Sequence, residues 1–204
     1  MKNLIILVFS LIISFSNSQT SNWETINISN WGSIKIPPSM EIQRGVYKKI
    51  LDEAKKEFSV NADRIVFQQK GLNDFGNYDT YARVIIRTDY ATPGNLPKLN
   101  DLDFTQNEID ELNSMYKQEI ISVCKKMNAS LIAWTNIKIT ILNGYKCLYF
   151  NYSRQFIEKP SAFSEFYIFF NYDKQHTLNF EYRIKHKVKW ATEFEKCKSS
   201  FKFK

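Results

Sequence analysis

The dipeptide Asn143-Gly144 constrains this chain more than any other feature of its sequence. A two-residue hairpin turn of type I′ requires positive φ at both central positions, and Asn-Gly meets that requirement at the least steric cost. Side chains along a strand alternate between faces, so a fixed turn also fixes which residues point inward on either side of it. Pairing Leu142 with Tyr145 sets Thr140 against Cys147, Ile139 against Leu148, Lys138 against Tyr149, Ile137 against Phe150 and Asn136 against Asn151. Ile137, Ile139, Leu148 and Phe150 then share one face. The opposite face is mixed, as expected of an antiparallel sheet whose second side is partly covered.

A second hairpin is expected downstream, with SEFYIFFNY (164–172) and HTLNFEYRI (176–184) flanking Asp173-Lys174-Gln175. Its return strand alternates Leu178, Phe180, Tyr182 and Ile184 with Thr177, Asn179, Glu181 and Arg183. Its outgoing strand is apolar on nearly both faces, which suits a central place in the sheet. RIVFQQKG (64–71) and YARVIIRTDY (81–90) read as a further antiparallel pair. Thr105 followed by Glu108 is a capping-box spacing. It opens a helix whose apolar stripe runs through Ile109, Leu112, Tyr116, Ile120, Val123 and Met127, with Cys124 at its border. Two shorter helices are expected, over 45–58 and through Trp190, Phe194 and Cys197. In the stretch NWGSIKIPPSMEIQ (30–43), Pro37-Pro38 interrupts an alternating strand. Proline cannot donate to a ladder, so the pair marks an edge or a bend.

The N-terminus MKNLIILVFSLIISFSNS carries one lysine ahead of an apolar run from Leu4 to Phe15, with Ser16 and Ser18 at small-residue positions. This pattern is that of an export signal over residues 1–18, cleaved between Ser18 and Gln19. The run falls short of the ~20 residues that span a bilayer. Residues 19–204 are then expected to form a single domain with a real core, not membrane-spanning once the signal is removed, and monomeric.

The formal net charge is +7. Residues 145–204 carry twelve basic and six acidic side chains, so the surplus is concentrated at the C-terminal end. Within it, RIKHKVKW places Arg183, Lys185, Lys187 and Lys189 at alternate positions beside Trp190. In extended chain these form a positive stripe, a candidate contact for an acidic protein surface or another anionic partner. The competing reading is an edge strand guarded by lysines. Aromatic residues are not interleaved as single-strand nucleic-acid binders require, so nucleic acid is not expected as a partner. Cys124, Cys147 and Cys197 form no CxxC pair, and read as core residues or as one bridge plus a free thiol. His176 and His186 stand at opposite ends of one expected strand, about 30 Å apart at ~3.3 Å per residue, and read as exposed. No nucleophile elbow, HExxH, phosphate-binding Gly-rich loop or EF-hand loop occurs, and no catalytic residue, metal site or cofactor is assigned.

The order of elements, with WGSIKIPPSMEIQ near the start and EYRIKHKVKWATEFEKCKSSFKF at the end, resembles the Mog/PsbP-like superfamily. The positions that carry the likeness are the proline-marked bend, then Phe180, Tyr182 and Arg183, then Trp190, then Ser200 and Phe201. The resemblance implies an α+β domain, a central antiparallel sheet packed by a long helix and by shorter N- and C-terminal helices. It also implies a role in docking to larger assemblies. The functional expectation is an exported, non-enzymatic accessory domain, periplasmic or extracellular, that binds an envelope protein or other anionic partner. Two alternatives stand beside it. One is a hydrolase with a site assembled from scattered residues such as His186 and Glu181. The other is a small-ligand carrier with a cleft between sheet and long helix, lined by Tyr149 and Tyr116.

Overall fold

The structure, a computed structural model, describes residues 22–28, 31–44, 48–49, 62–73 and 80–204. The expected signal segment with its Ser18–Gln19 junction, and all but two residues of the expected 45–58 helix, lie outside them.

The Asn-Gly turn forms where the sequence places it, with φ of 51° at Asn143 and 88° at Gly144. It joins β6 (Ala129–Leu142) to β7 (Tyr145–Phe156). Leu142 pairs with Tyr145, Thr140 with Cys147, Ile139 with Leu148 and Lys138 with Tyr149. The expected register then breaks, because a bulge between Thr135 and Lys138 sets Thr135 opposite Asn151. The expected pairings of Ile137 with Phe150 and Asn136 with Asn151 are therefore lost. A bulge orphans backbone donors on the bulged strand. Asn113 of the long helix answers this by accepting from the Ile137 N–H at 3.1 Å and the Trp134 indole at 2.9 Å.

From β7 the chain continues through β8 (Lys159–Asn171) and β9 (Lys174–Arg183). The β8–β9 turn is Tyr172-Asp173, two residues with Tyr172 at φ 63°, rather than the expected Asp173-Lys174-Gln175. β4 (Ala62–Gln69) and β5 (Ala82–Tyr90) pair as expected, and β3 (Met40–Ile42) joins β4. Together these strands make a seven-stranded antiparallel sheet in the order β3-β4-β5-β9-β8-β7-β6. A smaller sheet holds β1 (Glu24–Ile28), β2 (Gly32–Ile36) and the terminal β10 (Lys202–Phe203), in the order β1-β2-β10. Pro37-Pro38 lies where the chain leaves β2 of the small sheet and enters β3 at the edge of the large one, closed by a Met40 N–H bond to the Pro37 carbonyl. The prolines thus stand at a bend between two sheets, where no ladder donor is needed.

Each face of the large sheet carries a buried core. Helix α1 (Gln106–Lys126) opens with the expected capping box, Thr105 and Glu108 each accepting from the other's backbone. Ile109, Leu112, Tyr116 and Ile120 cover Leu148, Phe150, Ile168 and Phe170 on one face. Val123 and Met127 are exposed, contrary to the expected stripe, and Cys124 is buried instead. Helix α2 (Lys187–Ser200) and the small sheet cover the other face, burying Trp190, Phe194, Cys197 and Phe201 against Cys147, Phe169, Leu178 and Phe180. Each such side chain contributes about 1.5–3 kcal/mol by leaving water. All three cysteines are free and buried, so the core reading holds and no bridge forms. Among the described residues no helix is long and apolar enough to cross a membrane.

Candidate functional site

The run RIKHKVKW does not stay extended. β9 ends at Arg183, a 3-10 turn covers Ile184–His186, and α2 begins at Lys187. Arg183 is buried in the sheet and Trp190 is buried in the core, so neither belongs to an exposed stripe. Lys185, Lys187 and Lys189 do lie at the surface. The alternating stripe fails because Trp190 and Phe194 need a helical period to reach the core together. The first turn of α2 leaves Val188 89% exposed, and the 3-10 turn before it leaves Ile184 37% exposed. Arg154 pairs with Ala162, and Ala162 with Arg183, so this end of β9 adjoins the β7–β8 turn, where Ile157 is 70% exposed. A corner of three exposed aliphatic residues and three lysines results.

Arg183 instead joins a buried stack beneath this corner. Its guanidinium lies 4.6 Å from the Tyr81 ring centroid and 5.0 Å from that of Phe156. Arg154 lies 5.1 Å from the other side of the set at Phe156 and 5.7 Å from Tyr152, and Arg83 lies 5.1 Å from Tyr81. Arginine and aromatic rings thus alternate, each cation facing the negative side of a π-system. Arg154 is the hub. It donates to Tyr152 Oη at 2.9 Å, Ser164 Oγ at 3.3 Å and Tyr81 Oη at 3.1 Å, and forms an ion pair with Glu181. Glu181, one of the two residues suggested for a hydrolytic site, is therefore the counter-ion of a buried cation. Burial raises the Tyr81 hydroxyl's pKa, against the opposing pull of Arg154, Arg83 and Arg183.

On the α2 face, Lys198 is buried and bridges Glu165 at 2.9 Å and Glu195 at 2.6 Å. Burial pushes the Glu165 carboxyl up, and the Lys198 charge opposes it. Desolvation opposes the Lys198 charge, but Glu165 and Glu195 together hold its pKa above the ordinary value. His176, expected at the surface, is fully buried: it stacks on Trp31 at 4.0 Å and its Nδ1 meets Thr88 Oγ1 at 3.0 Å. Burial lowers its pKa to about 4, with Lys174 adding to the effect and Asp173 opposing it. Tyr149 pairs with Tyr167 on the α2 face, whereas Tyr116 packs on Phe150 under α1. The two tyrosines proposed to line one cleft are thus separated by the sheet. Among the described residues no group of acidic, histidine or cysteine side chains is arranged to hold a metal ion.

The sequence carried no signal for the arginine–aromatic stack, because Arg83, Arg154, Phe156 and Arg183 come from three strands, with Tyr81 just ahead of the first, brought together only by the β5-β9-β8-β7 order.

No family profile matches the chain, and no curated protein sequence matches it. Among solved structures it is similar to cyanobacterial PsbP (CyanoP) from Synechocystis sp. PCC 6803, with a TM-score of 0.52 at 11% identity, over 95% of this chain and 99% of that one. A protein from Bacteroides thetaiotaomicron VPI-5482 is similar at 12% identity and a TM-score of 0.41, over 85% of this chain and 45% of that one. The likeness to CyanoP establishes the fold, a PsbP-like α+β arrangement on an antiparallel sheet.

Proposed function

We propose that the protein is an exported, non-enzymatic accessory domain that docks onto an acidic surface of a larger envelope partner through the corner between β9 and α2. The observation that carries this reading is Val188, 89% exposed in the first turn of a helix whose neighbouring lysines, Lys185, Lys187 and Lys189, are exposed with it. Ile184 and Ile157 extend the apolar part. Aliphatic contacts ringed by charge are the anatomy of a recognition surface, where the apolar centre supplies affinity and the cations set partner choice and on-rate. The buried ionisable groups support the same reading, since Glu181 is paired with Arg154 and Glu165 with Lys198. They stabilise the scaffold that presents the corner. Export rests on the pattern of residues 1–18.

The test is affinity capture from envelope extract with wild-type protein and with Lys185, Lys187 and Lys189 all changed to Glu. The wild type recovers an acidic partner whose yield falls steeply with salt, and the triple variant loses it. Equal recovery by both forms removes this corner as the docking surface.

A further inference from the structure

On the α1 side of the large sheet, β4 and β5 turn three arginines to one face. Arg64 stands directly opposite Arg87. Arg83 lies on the same face four residues along β5, opposite Gln68 on one side and Glu181 on the other. Between these rows Val66 and Ile85 pair across the strands and make an apolar floor, Val66 buried and Ile85 half-buried. Like charges placed directly opposite on neighbouring strands destabilise a sheet, so the Arg64–Arg87 pairing calls for a compensating charge. The described carboxylates do not supply enough of it. Asp89 takes Arg87 through Nε at 2.8 Å and Nη2 at 2.5 Å, and Glu181 is committed to Arg154. Among the described residues Arg64 and Arg83 have no carboxylate partner. Arg83 rests on the Tyr81 ring, and its Nε is buried without a hydrogen-bond partner. Arg64 is open to solvent yet crowded: partial burial and then repulsion from Arg83 and Arg87 hold its pKa below the ordinary arginine value.

We infer that Arg64, Arg83 and Arg87 form an oxyanion site for a phosphate monoester, whose phosphoryl group is held by the guanidinium groups and whose organic body lies on the Val66–Ile85 floor. Charge selects the class. Two uncompensated guanidinium groups match a phosphate monoester, which carries about −1.5 to −2 near neutral pH, whereas a carboxylate neutralises only one. Guanidinium forks bind tetrahedral oxyanions with paired hydrogen bonds. The exposure of Arg64 and Arg87 leaves the site open to solvent. This site shares no residue with the docking corner and does not depend on it.

Thermal unfolding at constant ionic strength tests the assignment, with inorganic phosphate and phenyl phosphate as probes and chloride and acetate as controls. A ligand that binds only the folded chain raises Tm by mass action, by roughly 5–10 °C at a hundredfold excess over Kd. Phosphate is expected to raise Tm where chloride and acetate do not, and phenyl phosphate to act at lower concentration. Arg64→Gln is expected to abolish the response while leaving the phosphate-free protein as stable as wild type or more so, since it relieves repulsion and breaks no ion pair. An equal rise in chloride, or an unchanged response in Arg64→Gln, overturns the site. Loss of stability in phosphate-free Arg64→Gln makes Arg64 a structural residue and also overturns it. Equal potency of phenyl phosphate and inorganic phosphate overturns the monoester assignment.

Discussion

Asn143 does more than permit a tight turn, and a substitution series separates its two roles. Its backbone sits at φ 51°, which asparagine and glycine adopt readily and alanine does not. Its side-chain Nδ2 also donates to the Lys198 carbonyl at 2.6 Å, which the Phe201 N–H reaches as well, and to the Phe201 carbonyl at 2.8 Å just past the end of α2. Asn143→Gly keeps the turn and deletes both bonds. At about 0.5–1.5 kcal/mol net per hydrogen bond, the two lost bonds are expected to cost about 1–3 kcal/mol. Asn143→Ala deletes the same bonds and adds the left-handed penalty, a further ~1–2 kcal/mol. The glycine variant therefore measures the cap and the difference between the variants measures the turn. Equilibrium urea unfolding followed by tryptophan fluorescence reads both, because Trp190 is 1% exposed and Trp31 6% exposed in the core that α2 closes. If Asn143→Gly matches wild type within about 0.3 kcal/mol, the side chain does not tie the hairpin to the last helix. If the alanine variant matches the glycine variant, the turn does not constrain the register.

Three further predictions follow from the buried polar groups and the small sheet. Glu181→Gln leaves the Arg154 charge buried without its counter-ion, and should cost about 3–5 kcal/mol by urea unfolding; a loss below 1 kcal/mol shows that the pair is not desolvated as its burial implies. His176 has a folded pKa of about 4 against an ordinary 6.5, so the unfolded chain binds more protons between these values, and His176 contributes stability that is present above pH 6.5 and lost as pH falls toward 4. The contribution is on the order of 3 kcal/mol, and His176→Phe should flatten the stability profile over that window, which fails if the slope is unchanged. Gly32→Ala should detach β10 from the small sheet, since a Cβ there meets the Lys202 carbonyl oxygen at 2.6 Å, a backbone atom that cannot swing aside. Overpacking of this kind costs about 1–3 kcal/mol, and amide exchange at Phe203 should quicken while exchange in β6 and β7 does not.

How far the sequence could be read depended on the range of the interaction that decided each residue's place. The turn at Asn143-Gly144, the capping box at Thr105 and Glu108, and the alternation of Leu178, Phe180 and Tyr182 are written in contacts between near neighbours, and all three appear in the fold. His176 read as exposed because it follows a turn, yet the small sheet, whose three strands come from both ends of the chain, closes Trp31 over it. RIKHKVKW fits two periods equally by its charges alone. The arbiter was Trp190 with Phe194, four residues apart, which only a helix places on one buried stripe. That spacing was legible, and giving it greater weight than the lysine alternation would have separated Arg183, in the sheet, from the three lysines at the surface.

The arginine face was hidden for a different reason. Arg64, Arg83 and Arg87 lie within residues 19–144, which carry fifteen basic and fifteen acidic side chains, so no composition count singles them out. Their convergence follows from parity: Arg64 opposite Arg87 and Gln68 opposite Arg83 place all three on one side of the β4–β5 ladder. That register could be drawn from the two expected strands alone, aligning Val66 with Ile85. What could not be drawn was the fate of the acids. Glu181 lies directly opposite Arg83 and would be its natural partner, but Arg154, entering from β7 across β8, takes it instead. The charge left on Arg83 is therefore a consequence of strand order, and it would be cancelled in any topology that kept β7 away from β9. Removing Arg154 should hand Glu181 back to Arg83. In the Arg154→Met variant the phosphate response of the arginine face should accordingly weaken, although that substitution touches none of the three arginines.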